Sequence, residues 1–198
     1  WVAPLVRARE RLARARAAAL RLQFGGAVGT LATLGDKGAA VAARVAERLG
    51  LRPADPWHAQ RDDWVALGCE VAVLCGSLAK IGTDLALLAQ AEVGEVAEPS
   101  GEGRGGSSAM PQKRNPVAAM TAIAAGVRAP QHAAALLAAM RQAHERGLGD
   151  WQAELAEWPS LFLEAHGALV ALADATSGLE VDTVRMRANV ARQHGTVF

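Results

Sequence analysis

From Trp64 to Leu88 the apolar side chains fall at Trp64, Leu67, Val71, Leu74, Leu78, Ile81, Leu85 and Leu88, in alternating steps of three and four. The spacing averages about 3.5 residues, the seam of helices wound in a left-handed bundle. One position on runs a row of small residues, Gly68, Ala72, Cys75, Ala79, Gly82, Ala86 and Ala89, which lets a second backbone approach an adjacent face. Glu70, Ser77 and Asp84 recur at heptad spacing as a narrow polar ridge. A helix with two apolar seams is enclosed by several neighbours, so the pattern predicts the central helix of a bundle.

Weaker periodicity predicts further helices. One runs from Val2 to Gln23, with Val2, Leu5, Ala8, Leu12, Ala15, Ala19 and Leu22 on one side. A shorter one runs from Asp36 to Leu49 and stops at Gly50, with Pro53 and Pro56 beyond. Another starts at Pro116 with Asn115 as its N-cap, and Pro130 is expected to kink or interrupt it. A helix over 151–177 and a short one from Asp182 complete the set. No segment alternates like a strand, and the expected class is all-α, a long-helix bundle. Gly, Pro and Ser punctuate residues 24–35, 50–57, 94–116 and 146–150.

Composition supports a globular core: of 198 residues, 51% are hydrophobic and 21% charged. A net charge of +1 argues against a general nucleic-acid surface. Arg7, Arg9, Arg11, Arg14, Arg16 and Arg21 go round the first helix and read as a solvated face. Cys69 and Cys75 lie on different faces of an apolar helix, away from any His or second Cys pair, so they read as reduced thiols of a cytoplasmic protein. No stretch reads as uncharged for long enough to span a bilayer, and no cluster asks for a metal or cofactor. The chain opens at Trp1 in mid-pattern and ends in HGTVF, and is expected to be a fragment.

Candidate chemistry concentrates in GRGGSSAMPQKRNP, residues 103–116. GEGRGG within residues 101–106 fits G-x-G-x-x-G, but the dinucleotide reading needs a preceding strand and a later acidic residue, and neither is found. What remains is a loop bearing Ser107, Ser108 and Lys113 that leads into a helix. Backbone N–H groups at a helix N-terminus favour a negative charge, and Lys113 adds a full positive one. A serine hydroxyl in that field can exchange a proton with carbon beside a carboxylate, and the same donors stabilise an enolate. The competing reading is a linker with an ordinary helix cap and a solvated lysine.

GSSAMPQKRNP (106–116) closely resembles the G-S-S-x-M-P-x-K-x-N signature of the fumarase/aspartase superfamily. LQFGGAVGTLATLGDKG (22–38), PWHAQRD (56–62), KIGTDLALLAQAEVGEVAEP (80–99) and HERGLGDWQAE (144–154) are similar to the 3-carboxy-cis,cis-muconate cycloisomerases, the bacterial lactonising branch of protocatechuate breakdown. PWHAQRD and GEVAEP separate that branch from the adenylosuccinate lyases. The resemblance implies a cofactor-free homotetramer with active sites built from three subunits, acting on a small polycarboxylate and on neither nucleic acid nor membrane. By motif position, Ser107 would be the catalytic serine with Ser108 beside it, and Lys113 and Asn115 would hold a substrate carboxylate. Gln60 and Arg61 would be a substrate-contacting pair, and His144, Glu145 and Arg146 would line the site. His58 is a further histidine of this region, with a structural role equally open to it.

Gln112 departs from the His that this branch carries there. The superfamily's two earlier site motifs, one of which often supplies a general-acid histidine, would lie upstream of Trp1, and Phe198 would fall near the start of a small C-terminal domain. Residues 1–198 would then be most of the central helical domain. A C–N lyase acting on adenylosuccinate or argininosuccinate is the alternative within the superfamily. HERGLGDW, however, lacks the hydroxyl-rich continuation associated with adenylosuccinate lyases. A catalytically inactive helical oligomerisation fragment is the other alternative.

Overall fold

The computed structural model describes residues 1–100, 105, 106, 110 and 114–192. Helix α1 spans Val2–Ala19, and α2 spans Gly38–Leu49. The long helices are α3 (Asp62–Leu88), α4 (Val117–Ala138) and α5 (Asp150–Ser177), followed by the short α6 (Thr183–Arg192). A 3-10 segment, Ala32–Lys37, precedes α2, and two-residue strands β1 (Val96–Ala97) and β2 (Glu180–Val181) pair antiparallel. The all-α expectation holds; among the described residues the strand pair is a minor addition, too short to carry a periodic signal.

The chain divides into two compact units, one of Val2–Leu74 with Ala129–Leu163, the other of Trp1, Cys75–Arg128 and Glu164–Phe198. In the first, the α3 seam residues Leu67, Val71 and Leu74 are buried, and Gly68 sits where a Cβ would come within 2.7 Å of Leu136 and 3.2 Å of Trp158. Trp57, Trp64, Trp158 and Phe162 form a ladder with successive ring centroids 6.2, 4.5 and 5.6 Å apart. The polar ridge is used as well: Arg11 of α1 donates to Glu70 at 2.7 Å.

In the second unit Leu78, Ile81 and Leu85 continue the buried seam. A Cβ on Gly82 would lie 2.8 Å from the Ala119 carbonyl oxygen, and one on Gly126 would lie 2.2 Å from Ala79 Cβ. The small-residue row therefore does what its spacing predicts, letting α3 and α4 touch at backbone distance. By length and mean hydropathy α3 passes for a membrane-crossing helix, against the expectation that no stretch is apolar and uncharged for long enough; Glu70, Lys80 and Asp84 lie within it. Burial of its seam accounts for the same apolarity.

Several boundaries shift. The first helix stops at Ala19 rather than Gln23, and Leu22 instead donates its N–H to the Arg52 carbonyl. Gly50 closes α2 as expected, with φ +63° and its N–H on the Ala46 and Glu47 carbonyls. Pro130 does not interrupt α4, which runs unbroken through it. Its neighbours Ala129 and Ala133 are buried, and packing on that face outweighs the one backbone hydrogen bond that a proline removes.

Candidate active site

Three segments meet in the first unit: the glycine-rich turn after α1, the Trp57–Arg61 turn ahead of α3, and the segment leading into α5. Trp57 ties the first two, donating its backbone N–H to Gln23 Oε1 at 2.7 Å and its indole N–H to the Leu22 carbonyl at 3.0 Å. Gln60 N–H closes the turn on the Trp57 carbonyl at 2.8 Å. The third segment reaches the first at Gly29, where a Cβ would stand 3.3 Å from Glu145 Oε2, so glycine permits the approach. Ahead of α5, Gly149 donates to the Gln152 side chain at 2.8 Å and accepts from Ala153, a reciprocal cap that fixes the helix start.

Arg61 sits at the hinge of this assembly. Its carbonyl accepts from Val65 and so starts α3, and its side chain is 9% exposed. The guanidinium grips Glu154 of α5 with two prongs, Nε to Oε1 at 3.0 Å and Nη2 to Oε2, and both residues are buried. Such a fork satisfies two charges that would each be costly alone. The Trp57 ring lies beneath Arg61, 5.7 Å from centroid to guanidinium carbon, while Arg21 approaches the same ring at 5.5 Å. Among the described residues nothing engages Arg61 Nη1.

His58 stands against Trp151, ring centroids 5.9 Å apart and nearly perpendicular. Arg146 lies over the same indole at 5.4 Å. His58 Nε2 is buried and has no hydrogen-bond partner among the described residues. Burial lowers the imidazole pKa from its ordinary 6.5, and the positive charges of Arg61 and Arg146 lower it further, against a smaller opposing pull from Glu154 and Glu145. A neutral histidine, an exposed arginine and a half-committed one therefore share this corner, a setting suited to an anionic ligand.

The second unit carries the stems of the signature loop. Asn115 donates its backbone N–H to the Gly105 carbonyl at 2.8 Å. Asn115 is not the residue that caps α4. The first intrahelical bond ends on Pro116, and the carboxylate of Glu98 accepts from Ala118 and Ala119, each at 2.9 Å. A helix N-terminus that the sequence reading left open for a ligand anion thus holds an anion of the chain itself.

Of the residues singled out from sequence, Gln60, Arg61, His144 and Arg146 all lie in the first unit, and Asn115 lies in the second. Gln60, His144 and Arg146 are exposed, and His144 adopts a left-handed backbone with φ +52°. Ser107, Ser108 and Lys113 lie outside the described residues. Sequence reasoning missed Glu98 as the acceptor at the start of α4 and Glu154 as the partner of Arg61. Both act across long sequence separations, and the only signal was their presence at the ends of quoted motifs. Among the described residues no group of three or more His, Cys, Asp or Glu is placed to hold a metal ion.

A family model described as a lyase matches residues 1–129. The 3-carboxy-cis,cis-muconate cycloisomerase of Bradyrhizobium diazoefficiens is 50% identical, covering 100% of this chain and 44% of that protein. That of Pseudomonas aeruginosa is 52% identical over 98% of this chain and 42% of its own length. The crystal structure of the 3-carboxy-cis,cis-muconate lactonizing enzyme of Pseudomonas putida superposes with a TM-score of 0.88 at 44% identity, covering 98% of this chain and 42% of that one. The chain spans less than half the length of the relatives it matches.

Proposed function

The chain belongs to the lyase family of the fumarase/aspartase superfamily and has that fold's helical bundle, and from this premise we propose that the full-length protein is a 3-carboxy-cis,cis-muconate cycloisomerase. The observation that carries the reading is 50% identity to such an enzyme across the whole of this chain. Supporting it, three of the four flanking stretches similar to that branch gather in one unit around Arg61, His58 and Arg146.

One carboxylate oxygen of the substrate adds to a carbon of the conjugated diene, forming the C–O bond of the lactone. The displaced π pair takes up one proton at the neighbouring carbon, so 4-carboxymuconolactone carries one proton more and one negative charge fewer than the substrate anion, and the donor is reprotonated from solvent. Ser107 is the proposed proton donor, with Ser108 beside it, in the reverse of the α-proton abstraction that a lyase performs. Lys113 and Asn115 hold a substrate carboxylate, and Gln60, His144 and Arg146 line the site. Arg61 keeps only its Nη1 edge for substrate, because Glu154 takes the other. Residues 1–198 are the proposed central helical domain of a cytoplasmic homotetramer with shared sites, and the remaining length of the relatives corresponds to segments outside this chain.

The test is loss of the diene ultraviolet absorbance when the full-length protein meets 3-carboxy-cis,cis-muconate, beside a Ser107→Ala control. Removal of a group that moves a proton in the transition state should cost about 100-fold or more in kcat. Rapid loss that survives the substitution would remove Ser107 from the mechanism. No loss from folded protein would remove the substrate.

A further inference from the structure

A closed ring of contacts surrounds the two stems of the signature loop. β1 and β2 pair with Ala97 opposite Glu180. The residue after Ala97, Glu98, grips the first amides of α4. Two positions before α4, Asn115 is hydrogen-bonded to Gly105. Beside it Arg114 forks onto Glu180, Nη1 to Oε2 at 2.9 Å and Nη2 to Oε1 at 2.8 Å, and so returns to β2. The pair is exposed, with side chains 42% and 58% accessible, and exposed ion pairs add little to stability. A two-pronged fork nevertheless fixes direction as well as distance. Arg114 immediately precedes Asn115 in the chain, so an anchored Arg114 restrains the backbone from which Asn115 projects.

We propose that the Arg114–Glu180 ion pair is a positioning clamp for Asn115, the described member of the proposed carboxylate-binding set. It acts on placement of the substrate and touches none of the reacting atoms. The inference rests on the reading of Asn115 as a carboxylate ligand, and its test separates the two.

In the full-length protein, Arg114→Glu, Glu180→Arg and the double exchange are compared by steady-state kinetics on 3-carboxy-cis,cis-muconate, by thermal midpoint, and by amide hydrogen exchange over residues 115–119. Displacing a binding group by about an ångström costs about 100-fold in kcat/KM, so each single reversal should lose that much with an unmoved midpoint. The double exchange should recover most of it. Arg114→Lys, which keeps the charge and loses the fork, should fall between. Exchange at the Asn115, Ala118 and Ala119 amides should quicken in the single variants and slow again in the double. Unchanged exchange in the single variants overturns the clamp whatever the substrate. Quickened exchange without a kinetic loss overturns its positioning role. If the unmodified protein does not turn over this substrate, the functional reading fails, and restored exchange in the double exchange still decides the clamp.

Discussion

Two arginines in this chain grip a glutamate with the same forked geometry in opposite surroundings. Arg61 and Glu154 are buried, stacked above an indole and joined across more than ninety residues of chain at the start of two long helices. Arg114 and Glu180 stand in solvent beside a two-residue strand pair. Coulomb attraction is stronger in the interior, but desolvation of the two charges offsets much of it. The distinction is the cost of breaking each: an orphaned charge in the interior has no water to turn to, whereas one at the surface is rehydrated at once. The buried fork therefore belongs to the stability of its unit. The exposed one has consequences chiefly for where its neighbours sit.

The widest test of that contrast is Glu154→Ala. It leaves a buried guanidinium uncompensated and should destabilise by about 3–5 kcal/mol in urea unfolding, enough to threaten folding outright. The pair exchange Arg61→Met with Glu154→Leu should restore much of the loss, since apolar replacement of a buried pair is often close to neutral. Glu180→Ala should lower the unfolding midpoint only slightly, since an exposed pair adds little. Equal losses for Glu154→Ala and Glu180→Ala would erase the distinction.

Glu98 lies between the extremes. It is half-buried and accepts from two amides that α4 cannot satisfy internally. Glu98→Ala should cost about 1 kcal/mol, the usual worth of an N-cap, together with faster exchange at Ala118 and Ala119. A change below the error of the unfolding curve would mean that water or Asn115 replaces the carboxylate without loss.

These residues also mark where the sequence stopped being legible. The α3 seam and its small-residue row were readable because both are periodic, and a period is a property of neighbours along one helix. The close approach at Gly82 and Gly126 followed from it. Gly50 as the end of α2 was readable because a left-handed terminus favours glycine locally. The cap of α4 was misassigned to Asn115 because the true acceptor lies twenty residues upstream, and no local rule searches that far. The Arg61–Glu154 fork was hidden for the same reason: each residue was visible in its own motif, but nothing in either motif says that they meet. Pro130 misled because helix-breaking is a local cost, while the burial of Ala129 and Ala133 that offsets it is tertiary.

The smallest expected effect is a pH dependence that separates the two forks. In the folded chain the His58 pKa lies below its ordinary 6.5, held down first by burial and then by Arg61 and Arg146. Between the folded value and 6.5 the unfolded chain binds more protons than the native one, so stability rises with pH across that window. Its contribution is fully present above 6.5 and is lost as pH falls through the lowered value. Glu180 behaves likewise at lower pH. The hydrogen bond from Arg114, then its charge, holds the carboxyl below the ordinary 4.5, so its contribution is present above 4.5 and fades only on further acidification. A melting series from pH 8 to pH 3 should therefore show a His58 component that begins near 6.5 and disappears in His58→Gln. Arg146→Gln should shift that component towards 6.5 without abolishing it, because burial, the larger cause, remains. A His58 resonance titrating above 6.5 in the folded protein would show that the carboxylates of Glu154 and Glu145, not the arginines, dominate the field in this corner. The case for an anion-receptive site there would then fall with it.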